Sequence, residues 1–264
     1  MKIEAIITCC DYSDFLSEVL PHNRVLFDKT VVVTAPEDSN TRRVCEFWNV
    51  TCIPTDVFET RWGKFAKGAG INVGLQALDK DGWVLHLDAD MLCPPLTRKL
   101  LTEADLDPTM LYGFDRHMCQ GSAAWRQFLA LPQLQHESNT WIHLDKFPIG
   151  TRLMIERTGY IPLGFAQLWN PAASQVFEYP EQHATAARTD VQFATKWPRA
   201  KRALIPEIVM YHLESDDASK ASNWSGRTTA PFGPPGLALP PIARARKPAD
   251  QAIPECSYLE EKRS

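Results

Sequence analysis

The first half of the chain alternates short apolar runs with longer segments whose apolar residues recur at helical spacing. Ile3 to Cys9 reads as a strand, and a helix from Ser13 follows with Phe15, Leu16, Val19 and Leu20 as its apolar stripe. Thr30-Val-Val-Val-Thr34 is a second strand, and a helix carries Val44, Phe47 and Trp48. Val50 to Ile53 and Trp83 to Leu87 are further strands, separated by a helix over Gly68 to Leu78 with Ile71, Leu75 and Leu78 on one face. Strands alternating with helices of this length predict an α/β fold with a mostly parallel, Rossmann-like sheet flanked by helices. Ligands of such sheets bind beyond the carboxyl ends of the strands.

The second half is less regular and predicts a smaller, mixed region. Met110 to Phe114 is strand-like, and Trp141 to Ile149, Arg152 to Ile155 and Leu163 to Trp169 read as short strands and connections. Thr189 to Trp197 suggests a helix and Leu204 to His212 a final strand. Beyond Arg227 prolines accumulate and apolar periodicity vanishes. The expected division is one domain over 1–227, with halves 1–95 and 96–227, and a proline-rich extension over 228–264. No internal repeat is found.

Composition narrows the classes. No stretch approaches the roughly 20 apolar residues that cross a bilayer, so no membrane insertion is expected. Seven cysteines without a Cys-x-x-Cys pair suggest reduced thiols and a cytoplasmic protein. The formal net charge of −4 gives no global argument for nucleic acid. Between Arg188 and Lys247, however, ten Lys/Arg face five Asp/Glu, which hints at an anionic partner for the C-terminal third.

Asp-x-Asp occurs three times, at Asp79/Asp81, Asp88/Asp90 and Asp105/Asp107. The first lies in a turn-like Asp-Lys-Asp-Gly and the last at a helix end or loop. Only Asp88 and Asp90 follow a buried-type strand, and Pro94-Pro95 then stops the chain from continuing as one. Carboxylates at such a place need a partner. A divalent cation carrying a diphosphate is one, because hard cations take carboxylate and phosphate oxygens together.

Ile6-Ile-Thr-Cys-Cys-Asp-Tyr12, Phe65-Ala-Lys-Gly-Ala-Gly-Ile-Asn72, His86-Leu-Asp-Ala-Asp90, Thr189-Asp-Val-Gln-Phe193, Tyr211-His-Leu213 and Asn223-Trp-Ser-Gly-Arg227 occur in an order that resembles the GT-A superfamily of glycosyltransferases. The family 2-like branch is the nearer match, and small stand-alone chains of this kind are frequent in phage genomes. The resemblance implies that Asp90 ligates a metal, that Asp88 reaches the ribose or a metal-bound water, and that His212 is a third ligand. An oxygen-rich site with one imidazole suits Mn²⁺, or Mg²⁺. It further implies that Thr8, Cys10 and Tyr12 cradle the nucleoside of a UDP-sugar, with Asp38 reading the uracil imide. Lys67 at a helix start would contact the diphosphate, and Asn72 would tie that helix to the nucleotide loop. Arg227 would close over the diphosphate or touch an acceptor phosphate. Asp190 is the candidate general base, with helix capping as its structural alternative. Trp169 and Trp224 are the candidate acceptor-side aromatics.

The pattern also departs from the family. Ala35-Pro-Glu-Asp-Ser39 stands where Asp-Asp-Gly-Ser is usual, and Thr189-Asp190 where Glu-Asp is common. The Gln/Arg-x-x-Arg-Trp signature of processive members is absent, which argues against polymer synthesis. The expectation is a metal-dependent, inverting glycosyltransferase acting on a 5-hydroxymethylpyrimidine of phage DNA, in the host cytoplasm. A glycan, lipid-linked sugar or protein hydroxyl is the alternative acceptor. A nucleotidyltransferase or a non-catalytic nucleotide-sugar binder belongs to other classes. No glycine-rich loop follows the first strand, which disfavours the nucleotidyltransferase.

Overall fold

The computed structural model describes residues 1–58, 65–130, 153–155, 159–182, 186, 188–216, 226–227 and 229–233. The first half follows the predicted alternation: β1 (Ile3–Thr8), α1 (Ser13–Asn23), β2 (Lys29–Thr34), α2 (Ser39–Phe47), β3 (Thr51–Pro54), α3 (Lys67–Gln76) and β4 (Trp83–Asp88). β1 pairs in parallel with both β2 and β4, and β2 in parallel with β3. Every residue of β1 is buried, as expected for a strand covered by helices on both faces.

The second half contributes β5 (Met91–Leu92), α4 (Thr97–Glu103), β6 (Leu111–Gln120), α5 (Gly121–Leu129), β7 (Leu153–Ile155), β8 (Gly159–Ile161), β9 (Ala166–Trp169), α6 (Pro171–Ser174), α7 (Thr189–Ala194) and β10 (Arg202–Glu214). The main sheet has eight strands in the order β3-β2-β1-β4-β9-β6-β10-β5. β9 runs antiparallel to its neighbours β4 and β6, β6 and β10 are parallel, and β5 is antiparallel to β10. β7 and β8 form a separate two-stranded ribbon.

This order has a geometric consequence. β5 follows β4 after only Ala89 and Asp90, yet it pairs with β10, which stands beyond β9 and β6 in the sheet. The sheet therefore curls until the end of β10 returns to the end of β4. The long β10 achieves this with a register shift between Ile205 and Val209, the local bend that a bulge produces. Asn23, at the end of α1 and wholly buried, pins the short strand: its amide donates to the Met91 carbonyl at 2.7 Å and accepts from the Cys93 amide at 2.9 Å.

Three expectations change. The proline pair does end the strand, but Met91–Leu92 forms a ladder before it, because β10 is at hand to pair with. β6 continues past Phe114 through Asp-Arg-His to Gln120, since β10 satisfies its backbone along that whole length. α7 is shorter than predicted, ending at Ala194. The predicted strand over Trp141 to Ile149 falls outside the described residues, as does nearly all of the proline-rich extension.

The core lies on both faces of the sheet. One face packs Ile3, Ile7, Leu16, Leu20, Leu85, Leu87, Phe114 and Met210 together. The other packs Ile6, Val31, Val33, Ile71, Val84, Trp169 and Phe193. α3 approaches closely because of its glycines. A Cβ on Gly74 would come within 2.6 Å of Ile6 Cγ2, and one on Gly68 would run into the Pro180 carbonyl oxygen. Overpacking against fixed backbone cannot be relieved by a side-chain rotation, so Gly68→Ala should lower the unfolding free energy by about 1–3 kcal/mol. Urea denaturation checks this, and an unchanged midpoint would contradict the close approach.

Candidate functional site

The carboxyl ends of β1 and β4, the strands β6 and β10, the 163–165 turn and the start of α7 enclose a cleft of about 710 Å³. Thr8, Cys10, Tyr12, Lys67, Asp88, Asp90, Asp190, His212 and Arg227 all line it. Those nine sequence-derived candidates, scattered over more than two hundred residues, share one cavity.

At its floor, β4 delivers Asp88 and the following turn delivers Asp90. Asp90 Oδ2 lies 3.3 Å from His212 Nε2. Backbone pairing enforces this contact: His212 is the register partner of Met91, and the Leu213 amide donates to the Asp90 carbonyl at 2.9 Å. Burial acts to raise the Asp90 pKa, but the neighbouring His212, then Lys67 and Arg116, outweigh it and hold the carboxyl below its ordinary value. Asp90 Oδ1 and His212 Nδ1 are buried without hydrogen-bond partners.

Asp88 turns the other way. Its Oδ1 accepts from Lys67 Nζ at 2.5 Å, and the same amine reaches the Gly164 carbonyl at 3.1 Å. Burial raises the Asp88 pKa despite the opposing charge of Lys67. Asp88, Asp90 and His212 consequently do not converge on one point. Among the described residues, the carboxylate group that does so is Glu4, Asp79 and Asp81 at the opposite end of the strands. There Glu4 caps the amides of Asp79 and Lys80, and Lys2 pairs with both aspartates, so that Asp-x-Asp copy is the expected turn. Asp107 of the third copy pairs with Lys201.

Asp190, in the first turn of α7, accepts from the Gly164 amide at 2.8 Å through Oδ2 and from its own Val191 amide at 2.8 Å through Oδ1. One oxygen thus serves the helix start and the other orients the carboxylate beside the 163–165 turn. Arg227 is held by Asp14 in a two-pronged ion pair at 2.6 and 2.7 Å and also donates to the Asp11 carbonyl at 2.5 Å. Its guanidinium lies over the Tyr12 ring at 4.9 Å. Tyr12 itself stacks on Phe15 at 5.0 Å, and Phe15 meets Phe232 in a tilted contact at 4.7 Å. Residues 226–227 and 229–233 are thereby clasped onto the loop after β1. Cys10 remains a thiol, its pKa pushed up to about 12 by burial.

Four candidates are corrected or fall outside. Asp38 does not face the cleft as a base reader: it is buried, caps α2 through the Thr41 amide at 3.0 Å, and holds Thr41 Oγ1, Thr34 Oγ1 and the Asp11 amide. It shapes the loop after β1 instead. Asn72 ties α3 not to that loop but to the 179–181 segment, bonding the Tyr179 backbone on both sides and Glu181 at 2.6 Å. Trp169 cannot be an acceptor platform, because it is wholly buried on β9 with its Nε1 donating to the Val176 carbonyl at 3.0 Å. Trp224 lies outside the described residues.

Two cleft residues escaped sequence reasoning. His86, left as packing, is wholly buried with both ring nitrogens unpaired, its Nε2 3.7 Å from Asp88 Oδ1. Burial, aided by Lys67, drives its pKa well down, so the ring is neutral. Its spacing two residues before Asp88 on a strand was the available signal, since residues i and i+2 share a face. The other is Arg116 of β6, whose guanidinium lies 4.4 Å from the centre of the Phe165 ring.

No protein-family model matches the chain, and no curated protein does. Solved structures do. Glucosyl-3-phosphoglycerate synthase from Mycobacterium tuberculosis, crystallised with Mn²⁺, UDP-glucose and phosphoglyceric acid, aligns with a TM-score of 0.52 at 12% identity, over 84% of this chain and 75% of that one. A second crystal of that enzyme with the same ligands gives 0.49 at 8% identity, over 83% and 74%. Its complex with Mn²⁺, UDP and glucosyl-3-phosphoglycerate gives 0.48 at 12%, over 83% and 75%. At this identity the similarity defines a class of fold: an α/β protein with a mostly parallel, curled sheet flanked by helices, as in GT-A glycosyltransferases. No helix among the described residues is long and apolar enough to cross a membrane.

The clasp yields a test. Asp14→Ala leaves Arg227 without its two-pronged partner and removes the acceptor for the Phe232 amide. Losing one partner of a largely desolvated pair is costly, so limited proteolysis within 226–233 should accelerate by about tenfold or more. An unchanged cleavage rate would mean that the aromatic contacts alone hold the segment.

Proposed function

We propose that the protein is a metal-dependent glycosyltransferase that moves a sugar from a UDP-sugar to an acceptor hydroxyl. The observation that carries this reading is the junction of Asp90 with His212 at the mouth of a nucleotide-type sheet. Lys67 stands on one side of it and Asp190 across the cleft. The fold shared with the synthase crystallised with Mn²⁺ and UDP-glucose supports the choice of donor and metal.

The donor set fits a divalent cation. Among the described residues Asp90 Oδ1 is a buried oxygen with no partner, and His212 sets a nitrogen 3.3 Å from the same carboxylate's Oδ2, a combination that favours Mn²⁺ over Mg²⁺. When bound, such a cation neutralises the charge that develops on a departing diphosphate. The chain's own groups do the rest. Lys67, at the positive end of α3, can leave Asp88 for phosphate oxygens, which frees Asp88 toward the ribose or a water beside Asp90. Thr8, Cys10 and Tyr12 bound the nucleoside side of the cleft, and Arg227 with its clasp closes that end. Asp190, oriented by the Gly164 amide, takes the proton of the acceptor hydroxyl as it attacks the anomeric carbon from the face opposite the leaving group, which inverts that centre.

A finer reading places the acceptor hydroxyl on a 5-hydroxymethylpyrimidine of phage DNA, and it draws on the positive excess between Arg188 and Lys247. Base chemistry in a duplex would require extrusion of the nucleotide into the cleft. A hydroxymethylcytosine oligonucleotide offered with a nucleotide-sugar panel tests it, the expected product being a nucleoside heavier by one sugar.

The general reading is tested by UDP-sugar turnover. Wild-type protein with Mn²⁺ should release UDP from at least one donor, and chelation should abolish the release. Asp90→Asn should lose Mn²⁺-dependent UDP binding by calorimetry. Asp190→Asn should keep UDP binding while transfer falls by about 10²–10⁴-fold, the usual worth of a general base. Full activity in Asp190→Asn would remove that residue from the reaction.

A further inference from the structure

Arg116 forms no ion pair among the described residues. Burial lowers its pKa, yet a guanidinium remains charged at any ordinary pH. Among the described residues its Nε is buried without a hydrogen-bond partner, and its guanidinium lies over the face of Phe165. Asp90, Asp88, Glu214 and Asp190 all act on it through space, but none of them forms an ion pair with it. Three of them are otherwise engaged: Asp88 with Lys67, Asp90 with His212, and Asp190 with two backbone amides. A ring face compensates only a small part of what a half-buried charge loses on leaving water. The fork of Arg116 is thus free for an anion brought in from outside, and a guanidinium binds carboxylate or phosphate through two parallel hydrogen bonds.

The position of Arg116 says which substrate brings that anion. The nucleoside side of the cleft is built on β1, to one side of β4. Arg116 rises from β6, separated from β4 on the other side by β9. The ring it lies over belongs to Phe165, the residue after the glycine that orients Asp190. Arg188, two residues before Asp190, lines the same part of the cleft and is exposed. The donor diphosphate already has Lys67 and the start of α3 on the opposite flank.

Resting on the glycosyltransferase reading, we infer that Arg116 binds an anionic group of the acceptor, and that the acceptor is a small hydroxy compound carrying its own carboxylate or phosphate. The depth of Arg116, half-buried within the cleft rather than set on an open face, suits a small molecule better than the phosphates of a duplex.

The experiment compares matched acceptors in the presence of a working donor and Mn²⁺: hydroxy acids against their methyl esters, and sugar phosphates against the free sugars. Wild-type protein should show kcat/KM at least about tenfold higher for the charged member of a pair, the scale of one hydrogen-bonded charge. Arg116→Gln should collapse that ratio toward one through acceptor KM, whereas UDP affinity in calorimetry stays within about threefold, and Arg116→Lys should restore part of the preference. Equal use of charged and neutral acceptors by wild type, an equal loss for both in the variant, weakened UDP binding in the variant, or activity on DNA alone would each overturn the inference. Those failures come with normal UDP binding by the wild-type protein. A wild-type protein that binds no UDP and consumes no nucleotide sugar would instead overturn the transferase reading beneath it.

Discussion

Two residues of backbone pairing govern this site. The ladder between Met91–Leu92 and Tyr211–His212 is short, yet it fixes where the sheet closes on itself and therefore where His212 meets Asp90. Without it β10 would stand at an open edge, three strands removed from β4 in the sheet order. The bend within β10, the buried Asn23 bracing β5, and the turn at Ala89–Asp90 all serve this one closure. The energetic demand is the usual one for buried polar groups, since backbone amides and carbonyls inside the molecule must be paired. Side chains placed by so constrained a backbone have little freedom to miss.

The cleft is divided by the strands that build it. β1 and β4 supply small polar groups and a cation beside the helix start of α3, an environment suited to a nucleoside diphosphate. β6, the 163–165 turn and α7 supply a carboxylate and two arginines on the opposite flank. The acids of β4 lie between the two sides. Internal contacts hold these groups in place, Lys67 against Asp88 and His212 against Asp90. Substrates would exchange these internal pairs for external ones, so little new charge need be desolvated when they bind.

How much of this could be read from the chain depended on whether the information was local. Strand and helix periodicity in the first half rests on neighbours within a few residues, and there the reading matched closely. The Asp88/Asp90 copy could be chosen over its two rivals because a strand precedes it, which is again local. Long-range pairing was not legible. The polar run Asp115-Arg116-His117 looked like the end of a strand, although β10 carries the ladder through it. Arg116 was lost with that mistake. Asp38, Asn72 and Trp169 were misplaced for a related reason: a residue type that suits a ligand suits a cap, a cross-link or a core equally well. Only the partners it meets in three dimensions decide between them.

The clasp between Asp14 and Arg227 joins positions 213 residues apart. A ribosome making this chain emits the loop after β1 213 residues before its fastener. Until those later residues are made, the Asp14 carboxylate and the Phe15 ring sit bare on the nascent surface. This end of the cleft is finished only when residues 226–227 and 229–233 emerge from the exit tunnel and fold back.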